Sequence, residues 1–273
     1  MEDMWRRSFV SIATVLLCAS ALTIQAQAHK NESSALWKIA CRCVDTMRET
    51  GKPGKCILAA KDDGAGRGYV VLKALEGDAQ LLVIPTKRLK GVGERSLLSA
   101  AAPNYWEDAW ESRNYLDGLR SKQLQSDGLS AIPREDIALV INSARATTQN
   151  QLHIHVDCVR DDVQRSLEAS RNKLTGTWVK VGVQIGENIR QYNTRFIKQD
   201  DLRGLNPFQM VAQQLSTQHV IMARQTVAIV GAKGTGFFLL TNPPSLANDT
   251  PAASAEELMR PHEGCGVLEA SAK

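Results

Sequence analysis

The residues best suited to chemistry lie in the segment Thr147-Thr148-Gln149-Asn150-Gln151-Leu152-His153-Ile154-His155-Val156. In an extended strand successive side chains alternate faces, so Gln151, His153 and His155 share one face while Leu152, Ile154 and Val156 share the other. An imidazole titrates near neutral pH, and its neutral form is both a nucleophile and a metal ligand. The loop before the strand supplies hydroxyls and carboxamides from Ser143, Thr147, Thr148, Gln149 and Asn150, the donor set that a phosphate needs. One face of this strand is set for chemistry and the other for the core.

Zinc is the rival use of a His-x-His pair, with Asp157 and Cys158 close by. Asp157 is read as lying on the face opposite His155, so a metal would draw its third ligand from elsewhere, and the cysteines show no Cys-x-x-Cys spacing. An exported, histidine-based zinc-binding protein without catalysis is therefore the alternative to an enzyme. His219 and His262 are isolated and take no role.

The elements that must position these residues follow from periodicity and punctuation. Ala35 to Arg48 reads as a helix stopped by the Gly/Pro/Lys segment Gly51 to Lys55. Gly68 to Leu72 and Gln80 to Pro85 read as a hairpin around Glu76-Gly77-Asp78, which sets Lys87 and Arg88 just past a strand end. A helix from Tyr105 to Leu119 carries Trp106 and Trp110 on one face, either as core or as an apolar lip. Ile137 to Ile141 is a strand leading through Asn142 to the polar loop. Beyond the histidines the pattern gives a helix over Asp161 to Lys173 and strands near Thr177 to Val183 and Tyr192 to Ile197. A helix over Pro207 to Leu215 precedes a strand pair, Thr226 to Val230 and Phe237 to Thr241. The intervening Gly231-Ala232-Lys233-Gly234-Thr235-Gly236 lacks a Gly-Lys-Ser/Thr ending and runs into a strand, so it is a hairpin turn rather than a phosphate loop. The class is α+β with an antiparallel sheet and flanking helices.

The 273 residues carry a net charge of +4, with 33 basic side chains scattered among 29 acidic ones. That distribution argues against nucleic acid as a partner. Residues 1–28 combine Arg6-Arg7, an apolar run from Phe9 to Ile24 and Ala26-Gln27-Ala28, the layout of an export signal. The apolar run is slightly short of the ~20 residues that span a bilayer comfortably, so cleaved signal and retained anchor both fit. Export implies an oxidising compartment, where thiols pair. Cys43 is paired with Cys56 across the short Gly/Pro/Lys loop and Cys158 with Cys265, which tethers the tail to the histidine strand and leaves Cys41 over. The organisation is then a signal or anchor at 1–28, one globular domain at 29–242 and a tethered tail at 243–273 with a short helix near Ser254 to Met259.

Gln151-Leu152-His153-Ile154-His155-Val156, with the polar loop before it and Leu82-Val83-Ile84-Pro85-Thr86-Lys87-Arg88 upstream, resembles the histidine-triad superfamily, with Gln in place of the first histidine. The likeness is closer to the bacterial CDP-diacylglycerol pyrophosphatase family. It runs through Gly68-Tyr69-Val70-Val71-Leu72-Lys73, Pro103-Asn104-Tyr105-Trp106, Ile141-Asn142-Ser143, Thr148-Gln149-Asn150, Asn206-Pro207-Phe208, Ala253-Ser254-Ala255-Glu256-Glu257 and Cys265. The resemblance implies a HIT-like fold of two fused half-barrels in one chain, the second lacking histidines, so that a monomer would suffice. It implies hydrolysis of CDP-diacylglycerol to CMP and phosphatidate through a cytidylyl-histidine, with no cofactor and no metal, at the inner membrane with the catalytic domain in the periplasm. By motif position His153 is the nucleophile, while His155 and Thr148 donate to the phosphoryl group. Asn142, Gln149, Asn150 and Gln151 are expected to bind nucleotide or phosphate, with Lys87, Arg88 and Arg145 as candidate cations. A nucleotidyl transferase that passes CMP to an alcohol is the alternative within the same chemistry.

Overall fold

The computed structural model describes residues 34–60, 67–74, 79–216, 221–243 and 254–260. Among them no helix is long and apolar enough to cross a membrane; the expected signal at 1–28, the turn at 76–78 and Cys265 lie outside the described residues.

Helix α1, Ala35–Thr50, ends where Gly51 adopts a left-handed conformation (φ 72°) and its N–H bonds Met47 O, a glycine stop that costs no Cβ strain. The Cys43–Cys56 disulfide then ties this helix to the chain entering the first strand, as the spacing suggests; it adds roughly 3 kcal/mol on the chain-entropy model. Strands β1 (Leu58–Ala59), β2 (Tyr69–Lys73), β3 (Leu81–Pro85), β4 (Ile137–Ile141) and β5 (Ile154–Cys158) build the first half of the sheet. Strands β6 (Val179–Ile185), β7 (Asn188–Ile197), β8 (Val227–Gly231) and β9 (Phe237–Thr241) build the second. The described strands form one open antiparallel sheet in the order β1-β2-β3-β5-β4-β8-β9-β7-β6.

That order contains a repeat. Read inward from each edge, β2-β3-β5-β4 and β6-β7-β9-β8 have the same connectivity, and the halves meet where β4 pairs β8, Leu139 opposite Ile229. Each half also has a helix before its first hairpin, α1 or α5 (Asp161–Ser170). Each has helices between its second and third strands: α2 (Tyr105–Ser112), α3 (Asn114–Leu119) and α4 (Ser121–Ser126) in the first, α6 (Pro207–Ser216) in the second.

Strand alternation distributes the core. Ile154 and Val156 join Leu81, Val83, Leu139 and Ile229 under α2 and α6, whose Trp106, Trp110, Phe208 and Val211 close that side. On the other face α1 covers Val70, Leu72, Leu82 and Ile84, while α5 covers Val140, Ala228, Phe238 and Leu240. His155 sits in register between Leu82 and Val140, so the histidine face of β5 opens beside α1, toward the segment 254–260. In the second half β9 occupies the place of β5, and its Phe238 and Leu240 fill the corresponding surface with core.

One expectation is revised, and one open choice is decided. The helix expected over Tyr105 to Leu119 is broken at Arg113, because Trp110 O accepts from both the backbone N–H of Arg113 (3.3 Å) and its guanidinium (2.6 Å), which stacks 4.2 Å over the Trp110 ring. Trp106 and Trp110 are buried core, which removes them as an acyl-accepting lip. The glycine cluster is, as expected, the β8–β9 hairpin turn. At its start a Cβ on Gly231 would lie 1.9 Å from Arg134 O, a backbone atom that cannot swing aside. Gly231→Ala should therefore cost about 3 kcal/mol, read as a lower urea midpoint at unchanged m-value; an unchanged midpoint would mean that this approach is not tight.

Candidate functional site

Between α1 and the C-terminal segment 254–260, over the histidine face of β5, lies a cavity of about 490 Å³, within the roughly 300–1,000 Å³ of small-molecule sites. Its walls bring together His153 at the entry to β5, His155 and Asp157 from β5, Asn142 and Thr147 to Gln149 from the polar loop, and Gln80 and Leu82 from the neighbouring strand region. Leu36 and Ile39 of α1 and Glu256 and Met259 of the C-terminal segment complete it. A larger cavity of 730 Å³ flanks the far side of α1 against Cys41, Val44 and Met47, but none of the described histidines borders it.

His153 Nδ1 lies 2.8 Å from Gln151 O. A carbonyl only accepts, so Nδ1 carries the proton and Nε2 keeps its lone pair. Burial pushes this imidazole below its ordinary 6.5, against the opposing pull of the Gln151 carbonyl and the Glu256 carboxylate. His155 is tied by the same device, Nδ1 lying 3.0 Å from Gln80 Oε1. Burial, then the nearby His153, hold its pKa well below 6.5; the two rings are 4.8 Å apart. The site thus presents two neutral imidazoles with unprotonated Nε2 atoms.

His155 Nε2 is buried and has no hydrogen-bond partner, yet Glu256 Oε1 stands 3.5 Å away. Glu256 is fixed by Asn142, whose Nδ2 donates to Oε1 at 2.6 Å. The Asn142 Oδ1 accepts from Ala255 N (2.7 Å) and Ser254 Oγ (3.1 Å). Residues 254–260 are held further by the Val159–Met259 bridge, by Arg160 N to Leu258 O and Arg260 N to Cys158 O, and by Tyr192 Oη to Glu257. What the sequence presents as a tail with one short helix is, over these residues, a wall of the site.

Of the other expected residues, Thr148 lines the cavity. Gln149 does too, but its Oε1 also accepts from Leu36 N and so caps α1. Asn142 has both amide atoms engaged by the C-terminal segment. Gln151 is buried beside the cavity: its Nε2 donates to Pro85 O (3.1 Å) and Lys87 O (2.9 Å), and its Oε1 accepts from Leu89 N (3.3 Å). Two donors and an acceptor at once exceed what a neutral imidazole offers, so a carboxamide suits this position. Lys87, Arg88, Arg145 and Asn150 are exposed and none is among the described lining residues; Arg88 bonds Ser34 Oγ and stacks 5.3 Å over Trp37. Sequence reasoning gave no role to Gln80 or to Glu256, although Ser254-Ala255-Glu256 carries the signal of a capped turn: Ser254 Oγ accepts from Glu256 N.

A family model described as CDP-diacylglycerol pyrophosphatase matches residues 31–268. The chain is also similar to the CDP-diacylglycerol pyrophosphatase of Yersinia pestis, 31% identical over 266 residues that cover 97% of this chain and 95% of the relative.

Asp157 requires a correction. Positions 153, 155 and 157 differ by two, so all three share the cavity face, against the reading that set Asp157 opposite His155. Its carboxylate is 2.8 Å from the Arg120 guanidinium and accepts from Cys158 N. Among the described residues no group of three or more His, Cys, Asp or Glu is arranged to hold a metal ion. Burial raises the Asp157 pKa against the lowering by Cys158 N–H and Arg120, so desolvation is the larger effect. Arg120→Met should then cost about 3–5 kcal/mol at neutral pH by leaving a buried charge alone. Asp157→Asn should cost less. Because the native carboxylate takes up its proton at higher pH than the unfolded one, the Arg120→Met deficit should shrink on acidification in urea unfolding at pH 7 and pH 5; a larger deficit at pH 5 would contradict this.

Proposed function

The chain belongs to the CDP-diacylglycerol pyrophosphatase family, and from that membership we propose that it hydrolyses CDP-diacylglycerol to CMP and phosphatidate on His153. The observation that carries the mechanism is the bond from His153 Nδ1 to Gln151 O, which leaves Nε2 as the nucleophile. That nitrogen attacks the cytidine-bearing phosphorus and the anhydride P–O bond breaks. The electron pair leaves with phosphatidate, and a cytidylyl-histidine remains. Water then attacks the same phosphorus and returns Nε2 to the neutral imidazole. Phosphatidate is a good anionic leaving group, so the first step needs little proton transfer; it needs donors for the phosphoryl oxygens. Thr148, on the cavity wall, supplies one, and His155 another when the single proton of its neutral ring sits on Nε2, the Gln80 amide then turning its N–H to Nδ1. Gln149 and Asn150 contribute loop donors. Lys87, Arg88 and Arg145, on exposed surface next to the polar loop and strand end, act as long-range cations. Gln151 and Asn142 act by position, the first holding the 85–89 turn and the nucleophile, the second holding Glu256.

The 490 Å³ cavity accommodates the nucleotide end of the substrate and leaves the acyl chains outside, toward the bilayer. The two halves of the sheet are read as the fused half-barrels of a histidine-triad-like chain, one carrying the chemistry and one filled with core, which makes a monomer sufficient. Residues 29–242 form the hydrolase domain, which 254–260 complete, and 1–28 direct export to the periplasmic face of the inner membrane. The Cys43–Cys56 disulfide fits that oxidising compartment.

Purified protein in detergent micelles with excess EDTA should release CMP from CDP-diacylglycerol, and His153→Ala should abolish release. Normal turnover by the variant would exclude His153 as nucleophile, and loss of wild-type activity in EDTA would point to metal chemistry. Since burial lowers the His153 pKa, the acid limb of kcat/KM should lie below pH 6.5; a limb at or above that value would mean that the imidazole is not desolvated.

A further inference from the structure

Hydrolysis of a cytidylyl-histidine needs a group that takes a proton from water, and neither neutral imidazole supplies one without leaving its other role. Glu256 is placed for it. Its Oε1 is occupied by Asn142 Nδ2 (2.6 Å) and Ser254 Oγ (3.4 Å) and faces His155 Nε2. Oε2 has no hydrogen-bond partner among the described residues. The side chain is 39% exposed, so water reaches it, and it borders the same cavity as His153. A purely structural role explains this less well: Ala255 N and Ser254 Oγ already dock the segment on Asn142 Oδ1, and Glu257 docks it on Tyr192.

We propose that Glu256 is the general base of the hydrolytic half-reaction, a role that rests on the covalent reading above. Water oxygen bonds to phosphorus as the P–Nε2 bond of His153 breaks and its electron pair returns to the ring. Nδ1 keeps its proton on Gln151 O throughout. The proton lost by water passes to Glu256 Oε2 and then to solvent, and CMP leaves. Asn142 is the positioning residue, since it holds Oε1 and so aims Oε2. A carboxylate reserved for water also favours hydrolysis over transfer to an alcohol.

The test is rapid mixing of CDP-diacylglycerol, labelled at the cytidylyl phosphorus, with wild type, Glu256→Gln and Glu256→Gln/His153→Ala in detergent micelles. Glu256→Gln should give a burst of phosphatidate approaching one per enzyme, retain label on the protein and release CMP roughly 100-fold more slowly, the low end for a lost general base. The double variant should neither burst nor bind label. Glu256→Asp, which keeps a carboxylate and serves as the folding control, should show intermediate decay of the label. CMP release at the wild-type rate from Glu256→Gln, or phosphatidate and CMP slowed in step without labelled protein, would overturn the role of Glu256. Turnover by His153→Ala with no labelled protein in any variant would overturn the covalent reading instead.

Discussion

The site depends on one constraint: a histidine removed from water yet kept from charging, with the proton of its neutral ring assigned to one nitrogen. Burial supplies the first part, since desolvation disfavours imidazolium. The Gln151 carbonyl supplies the second by accepting from Nδ1. That carbonyl is two residues away on the same chain, so the orientation of the His153 ring is fixed by the local backbone at the entry to β5. Gln151 holds that backbone by bonding three main-chain groups of the 85–89 segment. If the side chain at 151 were shorter, the turn would lose its anchor and the carbonyl its position.

The sheet explains why such a site exists beside β5. Helices α1 and α5 each cover one half of the same face, and β5 lies on the seam between them. Covering β5 by a third helix would fill the cavity, and leaving it bare would wet the imidazoles. The segment 254–260 is the intermediate solution, a narrow strap that borders His155 while leaving a cavity of about 490 Å³ open. It bonds to β5 and the residues after it through main-chain groups, which leaves the Glu256 side chain to face the cavity. The second half shows the other outcome, with Phe238 and Leu240 where the first half has His155 and Asp157.

Much of this was legible in the residues. The hairpins, the antiparallel pairing, the Cys43–Cys56 bridge and the shared face of His153 and His155 all follow from period, punctuation and spacing. Three features did not. The break at Arg113 comes from a side chain competing for the Trp110 carbonyl, a contest that helical periodicity does not record. Asp157 was set on the wrong face, although strand parity alone assigns it to the histidine side. Its partner Arg120, 37 residues away, is a matter of tertiary packing. Glu256 and Gln80 reach the histidines from segments distant in sequence, and only the register of β3 on β5 and the docking of the C-terminal strap bring them there. Asn142 and Gln151 show the converse limit: their residue types suit phosphate, but the structure gives their amides to the backbone and to Glu256.

The most direct measurement of the account is nitrogen-15 NMR of the histidine rings in the wild-type protein across pH, with His153→Ala and His155→Ala for assignment. The account requires His153 to be neutral at pH 6.5, protonated on Nδ1 and bare on Nε2, and to charge only at lower pH. A His153 ring that is protonated on Nε2 when neutral, or that is already imidazolium at pH 6.5, would contradict it.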